Sequence, residues 1–282
     1  MASAEAQSHG QFGEDRALRE IFGERTDGCC VEIGAYDGRT GSATYLFEKR
    51  GWRCLLVEPN PALVEQIREH RACSVVNCAV SDKEGMASFF VAENVEEMST
   101  LDLTPDRLEW ITEVGGAVKE ITVRTATLDS LLAEAGFPEI QFITIDVEGH
   151  EMDVLKGFTL EKHRPRIVII EDNAASDDPR ARGGDPRVGG HMAAHGYVHF
   201  RRTGVNEWYA HESDKELVRP DEIRRFRRAK ARQRWRRRGV LLSNRIATRA
   251  GAHLPTPLKQ RLRAPFDYLR SKGSRASKGS QG

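Results

Sequence analysis

The sequence predicts a doubly wound α/β domain with a mostly parallel sheet, an antiparallel terminal strand and a basic helical C-terminal extension. Three observations carry this reading. Short apolar runs at Cys29 to Ile33, Cys54 to Val57, Ser74 to Cys78, Phe142 to Ile145 and Arg166 to Ile170 alternate with stretches of helical periodicity, the pattern of successive βαβ units. The first run ends in Gly34-Ala35-Tyr36-Asp37-Gly38 and a helix-compatible stretch begins near Thr40, so the backbone can bend and approach a ligand with no Cβ in the way. The second run ends at Glu58-Pro59-Asn60-Pro61. An acid about 20 residues beyond such a turn is placed to accept hydrogen bonds from a ribose diol.

The glycine spacing is not G-x-G-x-x-G, and no Gly-Lys-Ser/Thr follows. That disfavours a dinucleotide or triphosphate and suits a cofactor without phosphate. Glu58 is the expected ribose ligand, with a solvated acid before a turn as the plain alternative. In chain order, Gln11 to Phe22 reads as a short helix turning Leu18, Ile21 and Phe22 inward. Gly41 to Lys49 reads as a helix whose N-terminal amides face an anionic cofactor group, and Pro61 to His70 as one with proline in its first turn. Met86 to Val91 and Ile121 to Ala126 read as strands flanking an acidic insertion, Glu93 to Glu120, which carries Met98, Ser99 and Trp110 over the substrate side. Thr127 caps a further helix that ends at Gly136. Gly196 to Phe200 and Glu207 to Ala210 read as the last antiparallel pair.

The chemistry concentrates after Phe142 to Ile145, where Asp146, Glu148 and His150 arrive together just before a helix. Ionisable groups at a strand end are costly unless paired, hydrated or used. The next strand ends in Glu171-Asp172-Asn173, and Asp146, Asp172 and Asn173 make an oxygen set that suits Mg2+. An acidic pocket that orients substrate hydroxyls directly is the alternative. His150 is the preferred general base, because an imidazole titrates near neutral pH. With magnesium bound, the ion would acidify the hydroxyl and leave His150 to orient it. Glu148 would hold either the imidazole or a substrate hydroxyl.

Gln11-Phe12-Gly13-Glu14-Asp15, Val31-Glu32-Ile33-Gly34-Ala35-Tyr36-Asp37-Gly38, Gly51-Trp52 leading to Val57-Glu58-Pro59-Asn60, Ile145-Asp146-Val147-Glu148-Gly149-His150-Glu151 with Leu155-Lys156-Gly157, and Arg164-Pro165 leading to Ile170-Glu171 occur in this order over roughly residues 10 to 210. The ordered set resembles the FkbM-type family of S-adenosylmethionine-dependent methyltransferases, with Tyr36 where the family pattern usually has Asn. The resemblance implies a Rossmann-like class I methyltransferase fold, S-adenosylmethionine as cofactor, and O-methylation of a hydroxyl on a sugar, glycolipid or related natural product. The cofactor contacts expected from the motifs and the resemblance together are Gln11, Glu32, Gly34, Ala35, Asp37, Gly38, Glu58, Pro59, Ala79, Val80 and Asp146.

Charge divides the chain. Residues 219–282 hold 20 Lys/Arg against 3 Asp/Glu, whereas residues 1–218 hold 23 against 39, so the near-neutral total says little about partners. Residues 1–26 are expected to form an N-terminal helical cap, 27–212 the methyltransferase domain, and 213–282 a basic helical extension with a disordered end. Such a tail suits an anionic membrane surface, docking on the acidic body or a partner copy in a homo-oligomer, or, less favoured, nucleic acid. The expected acceptor is a small molecule or glycan. Met1 to Gly10 lacks the pattern of a signal peptide. The five cysteines are odd in number and lie mostly in apolar runs, which reads as a reducing, cytoplasmic setting with peripheral contact on the inner face of the membrane. A different class of reading is a catalytically idle module that binds nucleic acid or membrane through the tail.

Overall fold

The computed structural model describes residues 8–172 and 187–218. Residues 1–226 form one compact unit and residues 227–282 a second, which lies outside the described residues. The expectations for the basic tail and for most of the Ala174 to Gly190 loop therefore also fall outside them.

In chain order the strands are β1 (Cys29–Ile33), β2 (Arg53–Val57), β3 (Ser74–Val76), β4 (Ala79–Val80), β5 (Gly85–Glu93), β6 (Ala117–Ala126), β7 (Phe142–Ile145), β8 (Ile167–Glu171), β9 (Tyr197–Thr203) and β10 (Asn206–His211). The helices are α1 (Glu14–Phe22), α2 (Tyr45–Glu48), α3 (Pro61–His70), α4 (Pro105–Glu113), α5 (Leu128–Ala135), α6 (Glu151–Lys156), α7 (Leu160–His163) and α8 (Arg187–Ala194). Seven strands make the main sheet in the order β3-β2-β1-β7-β8-β10-β9. Pairing is parallel from β3 through β8 and antiparallel for β8, β10 and β9. The chain runs outward from β1 to β3 and later lays β7 on the other side of β1, so the strand order reverses between them. In an open α/β sheet, ligands bind beyond the carboxyl ends of the strands at such a reversal.

Alternation along the strands sorts the core into two layers. Val31, Ile33, Leu55, Val57, Ile143, Ile145, Val168 and Ile170 pack with Leu131 of α5, Val154 of α6 and Met192 of α8. Cys30, Cys54, Leu56, Phe142, Ile167 and Ile169 pack with Leu18 of α1, Phe47 of α2 and Ile67 of α3. Two polar residues interrupt the second layer, Glu32 and Thr144, which are register partners across β1 and β7. All five cysteines are free thiols.

Local signals explain the helix starts. The Asn60 side chain accepts from Ala62 N–H at 3.1 Å with Pro61 opening α3, and Thr127 Oγ1 accepts from Ser130 N–H at 3.2 Å at the head of α5. Thr104 caps α4 in the same way, ahead of Pro105. The acidic insertion, expected to be a long loop, therefore contains a helix announced by a cap followed by proline. It is bounded by β5 and β6, which pair with β4 in a separate three-stranded sheet, order β4-β6-β5. Among the described residues, no helix is long and apolar enough to cross a membrane.

The tightest constraint is at the reversal itself. Gly34 has φ 79°, and a Cβ built there would stand 1.7 Å from the Asp146 carbonyl oxygen. Gly34→Ala combines a left-handed backbone with a steric overlap that only backbone movement relieves. It is expected to destabilise the fold by about 3 kcal/mol or more, lowering the melting temperature by roughly 6–12 °C. A thermal melt within about 2 °C of the wild type would contradict this packing.

Candidate functional site

A cavity of about 860 Å³ opens where the strand order reverses. Gly34 and Ala35 after β1, Glu58 and Pro59 after β2, and Asp146 to Glu148 after β7 line it. Ala79, Val80 and Leu63 add an apolar wall, and Glu96, Glu97, Met98, Asp106, Arg107 and Trp110 bring the insertion to the same space.

Glu58 is 5 % exposed. Its Oε2 accepts from Tyr36 N–H at 3.0 Å and its Oε1 from Asn60 N–H at 2.8 Å. Burial pushes its carboxyl up to about 7, against the pull of those two backbone donors. Each oxygen keeps a lone pair beyond these bonds, so the group can still accept from a diol.

Glu32 has other partners. Its Oε1 accepts from Ala43 N–H at 2.9 Å, and its Oε2 from the hydroxyls of Ser42 at 2.7 Å and Thr44 at 2.5 Å. The buried Arg71 guanidinium donates to Thr44 Oγ1 at 3.0 Å and to the Gly38 carbonyl, and it pairs with Glu48. The stretch expected to be a helix from Gly41 is instead bonded to Glu32 through Ser42, Ala43 and Thr44, and α2 starts only at Tyr45. The amide of Ala43 meets the carboxylate of Glu32, while that of Tyr45 meets Ser42 Oγ at 3.1 Å. Two of the amides expected to face an anionic cofactor group, those of Ala43 and Tyr45, thus meet acceptors within the chain.

Carboxylates crowd the ends of β7 and β8. Asp146, Glu148 and Glu171 each place an oxygen within 4.8 Å of the others. Burial, then the charges of Glu148 and Glu151, push Asp146 up to about 8. Burial, then Glu171, push Glu148 up to about 8 despite Arg107, whose Nη2 lies 3.2 Å from Glu148 Oε2. Carboxyls shifted this far hold or release a proton near neutral pH. Glu148 also has φ 55°, a left-handed backbone that a non-glycine residue adopts at a cost.

The structure sorts the expected residues. Gln11, Glu32, Gly34, Ala35, Glu58, Pro59, Ala79, Val80, Asp146 and Glu148 line the cavity; Asp37, Gly38, His150 and Asp172 do not. Asp37 Oδ1 accepts from the amides of Arg39 at 2.7 Å and Thr40 at 2.6 Å, so it shapes the turn. Gly38 backs on to Ile67 and Arg71. His150 heads α6 with its Nε2 3.3 Å from Asp153 Oδ2. Asp172 donates its amide to the Val205 carbonyl at 2.8 Å, and Asn173 lies outside the described residues. Among the described residues the acidic oxygens brought together are those of Asp146, Glu148 and Glu171; the expected set with Asp172 and Asn173 includes a residue outside them. Arg107 went unpredicted, although it and Lys119 are the two basic residues of an otherwise acidic insertion. Glu14 also lines the cavity. Its Oε1 accepts from Thr203 Oγ1 at 2.7 Å and Asn206 Nδ2 at 3.1 Å, which ties α1 to the terminal hairpin.

Curated relatives match part of the chain. The 2-O-methyltransferase NoeI of Sinorhizobium fredii is 26 % identical over 161 residues, covering 52 % of this chain and 64 % of NoeI. The hexuronic acid methyltransferase AglP of Haloferax volcanii is 37 % identical over 57 residues, covering 20 % of this chain and 24 % of AglP. The chain thus spans less than two thirds of either relative. Similar solved structures include a SAM-dependent methyltransferase from Aquifex aeolicus, with TM-score 0.36, 13 % identity, and coverage of 71 % of this chain and 89 % of that one. An O-methyltransferase from Bacillus cereus in complex with SAH has TM-score 0.35, 15 % identity, and coverage of 73 % and 83 %. The methyltransferase FkbM domain matches residues 32–198, more than half of the chain. The glycine turn, the acid after β2 and the carboxylates after β7 all fall inside that match, and the chain belongs to the FkbM methyltransferase family.

Proposed function

We propose that the protein is an S-adenosylmethionine-dependent O-methyltransferase acting on a hydroxyl of a sugar, glycolipid or related natural product. The observation that supports this best is the single cavity that joins the Glu58 carboxylate at one end to the Asp146, Glu148 and Glu171 carboxylates at the other. Family membership and the activities of NoeI and AglP favour a sugar hydroxyl as acceptor.

The residues present fit the cofactor. Gly34 keeps side-chain volume out of the approach, Glu58 accepts from the ribose hydroxyls, and Ala79, Val80 and Leu63 offer apolar surface to the base. When bound, S-adenosylmethionine supplies an electrophilic sulfonium methyl. The chain's own part is alignment and proton removal. Asp146 takes the hydroxyl proton as the acceptor oxygen bonds to the methyl carbon and the carbon–sulfur bond breaks. Glu148, steered by Arg107, holds a neighbouring hydroxyl. Trp110 offers an aromatic face of the kind that packs on the apolar side of a sugar ring. His150, bound to Asp153, positions the head of α6.

Calorimetric titration with S-adenosylmethionine is expected to show one saturable site, and absence of binding by folded protein would defeat the reading. Glu58→Gln should weaken that binding about tenfold. Because the Glu58 carboxyl ionises near 7, wild-type affinity should fall as pH drops from 8 to 6, and the Gln variant should show a shallower dependence. An equal pH slope in both proteins would remove Glu58 from the ribose site. Asp146→Asn should lower methyl transfer to a panel of hexoses and deoxyhexoses by about 100-fold or more, with cofactor affinity held within about threefold. Undiminished turnover would assign the proton to another group.

A further inference from the structure

Thr144 carries a polar atom that the fold itself does not use. Its hydroxyl is buried with no hydrogen-bond partner, and the residue, 9 % exposed, lines the cavity. An unpaired buried hydroxyl destabilises the fold that holds it, and the neighbours on either side do not meet it. Its partner on β1, Glu32, is bonded to Ser42, Ala43 and Thr44, and its partner on β8, Ile169, is apolar. Valine would fill the same volume in this layer without the penalty. The hydroxyl therefore points to a bond made only when the cavity is filled.

Its position narrows the donor. With a nucleoside held at Glu58 and the apolar wall of Ala79 and Val80, the part of the cavity that would be left for the rest of the cofactor is lined by Gly34, Thr144 and Asp146. That remainder is an amino-acid tail with one ammonium and one carboxylate. The cavity wall there carries Glu14, Glu32 and Glu171, while Arg107, a basic side chain of the same wall, is paired with Glu148. A wall of this sign favours the cationic group of the tail and disfavours the anionic one. We propose that Thr144 is a cofactor-binding residue whose Oγ1 accepts a hydrogen bond from the α-ammonium group of S-adenosylmethionine. This rests on the methyltransferase reading above and adds to it a residue that selects the amino-acid end of the cofactor.

The test compares two stable ligands by calorimetric titration: S-adenosylhomocysteine, which carries the amino-acid tail, and 5′-methylthioadenosine, which lacks it. Thr144→Val should bind S-adenosylhomocysteine about tenfold more weakly and methylthioadenosine as wild type does. Thr144→Ser should restore the affinity for S-adenosylhomocysteine to within about threefold. The ligand-free Val variant should melt at or above the wild-type temperature, because it removes an unpaired polar group. Unchanged S-adenosylhomocysteine affinity, equal weakening for both ligands, or a Val variant that melts well below wild type would each overturn the assignment. Folded wild-type protein that binds neither ligand would instead defeat the methyltransferase reading itself, and the assignment with it.

Discussion

The ligand end of the sheet depends on the close approach of two backbones, Gly34 after β1 and the Asp146 carbonyl after β7. The Asp146 amide donates to the Ile33 carbonyl at 3.0 Å, while the Gly34 and Ala35 amides both reach the Val57 carbonyl, at 3.0 and 3.2 Å. Ladder hydrogen bonding thus continues past the last strand residues on both sides of β1. The turn cannot move away from β7 or β2 without losing it, and no side chain can be added at Gly34 to relieve the crowding. The carboxylates of Glu58 and Asp146 are consequently held on rigid backbone, as a site that aligns reactants needs.

Rigidity of the turn has a second source, which is polar and lies inside the core layer below it. Glu32 occupies a strand position that would otherwise be apolar, and its carboxylate is surrounded by the Ser42 to Thr44 segment and by Arg71. A buried charge of either sign alone would be strongly destabilising. Together with Glu48, Glu32 and Arg71 compensate one another, and the guanidinium's bond to the Gly38 carbonyl carries the constraint to the far side of the turn. Tyr36, with φ 50°, stands between these two anchors and donates its amide to Glu58. The network shapes the loop, and the loop in turn orients Glu58.

The extent to which this was legible in the sequence follows from the range of each interaction. Most strand and helix positions, the proline at the head of α3, the cap at Thr127 and the acid after β2 depend on neighbours a few residues away, and local pattern suffices for those. The choice between Glu171 and Asp172 depends on strand phase: adjacent residues face opposite sides, and composition locates a strand end without its phase. Asp37 looks like a ligand because it follows a glycine turn, but short acidic side chains readily bond the backbone just ahead of them, and Asp37 does so. His150 has the right chemistry for a base, yet the turn through Gly149 at φ 102° and the start of α6 leave it beside Asp153. The pairing of Arg107 with Glu148 joins segments far apart in the chain, which no local pattern reveals.

The small sheet of β4, β6 and β5 has its own apolar cluster of Ala79, Phe89, Val91 and Val123, with Leu101 and Ile121 packed against it. The insertion that brings Trp110 and Arg107 to the cavity springs from that sheet and not from the seven-stranded one. Substitutions that reshape the insertion therefore fall mainly on this cluster, which joins the main core through Val80 of β4 and Ala126 of β6. Changes in the insertion can therefore alter the wall that Trp110 and Arg107 give the cavity while the Gly34 turn and the carboxyls of Glu58 and Asp146 stay in place.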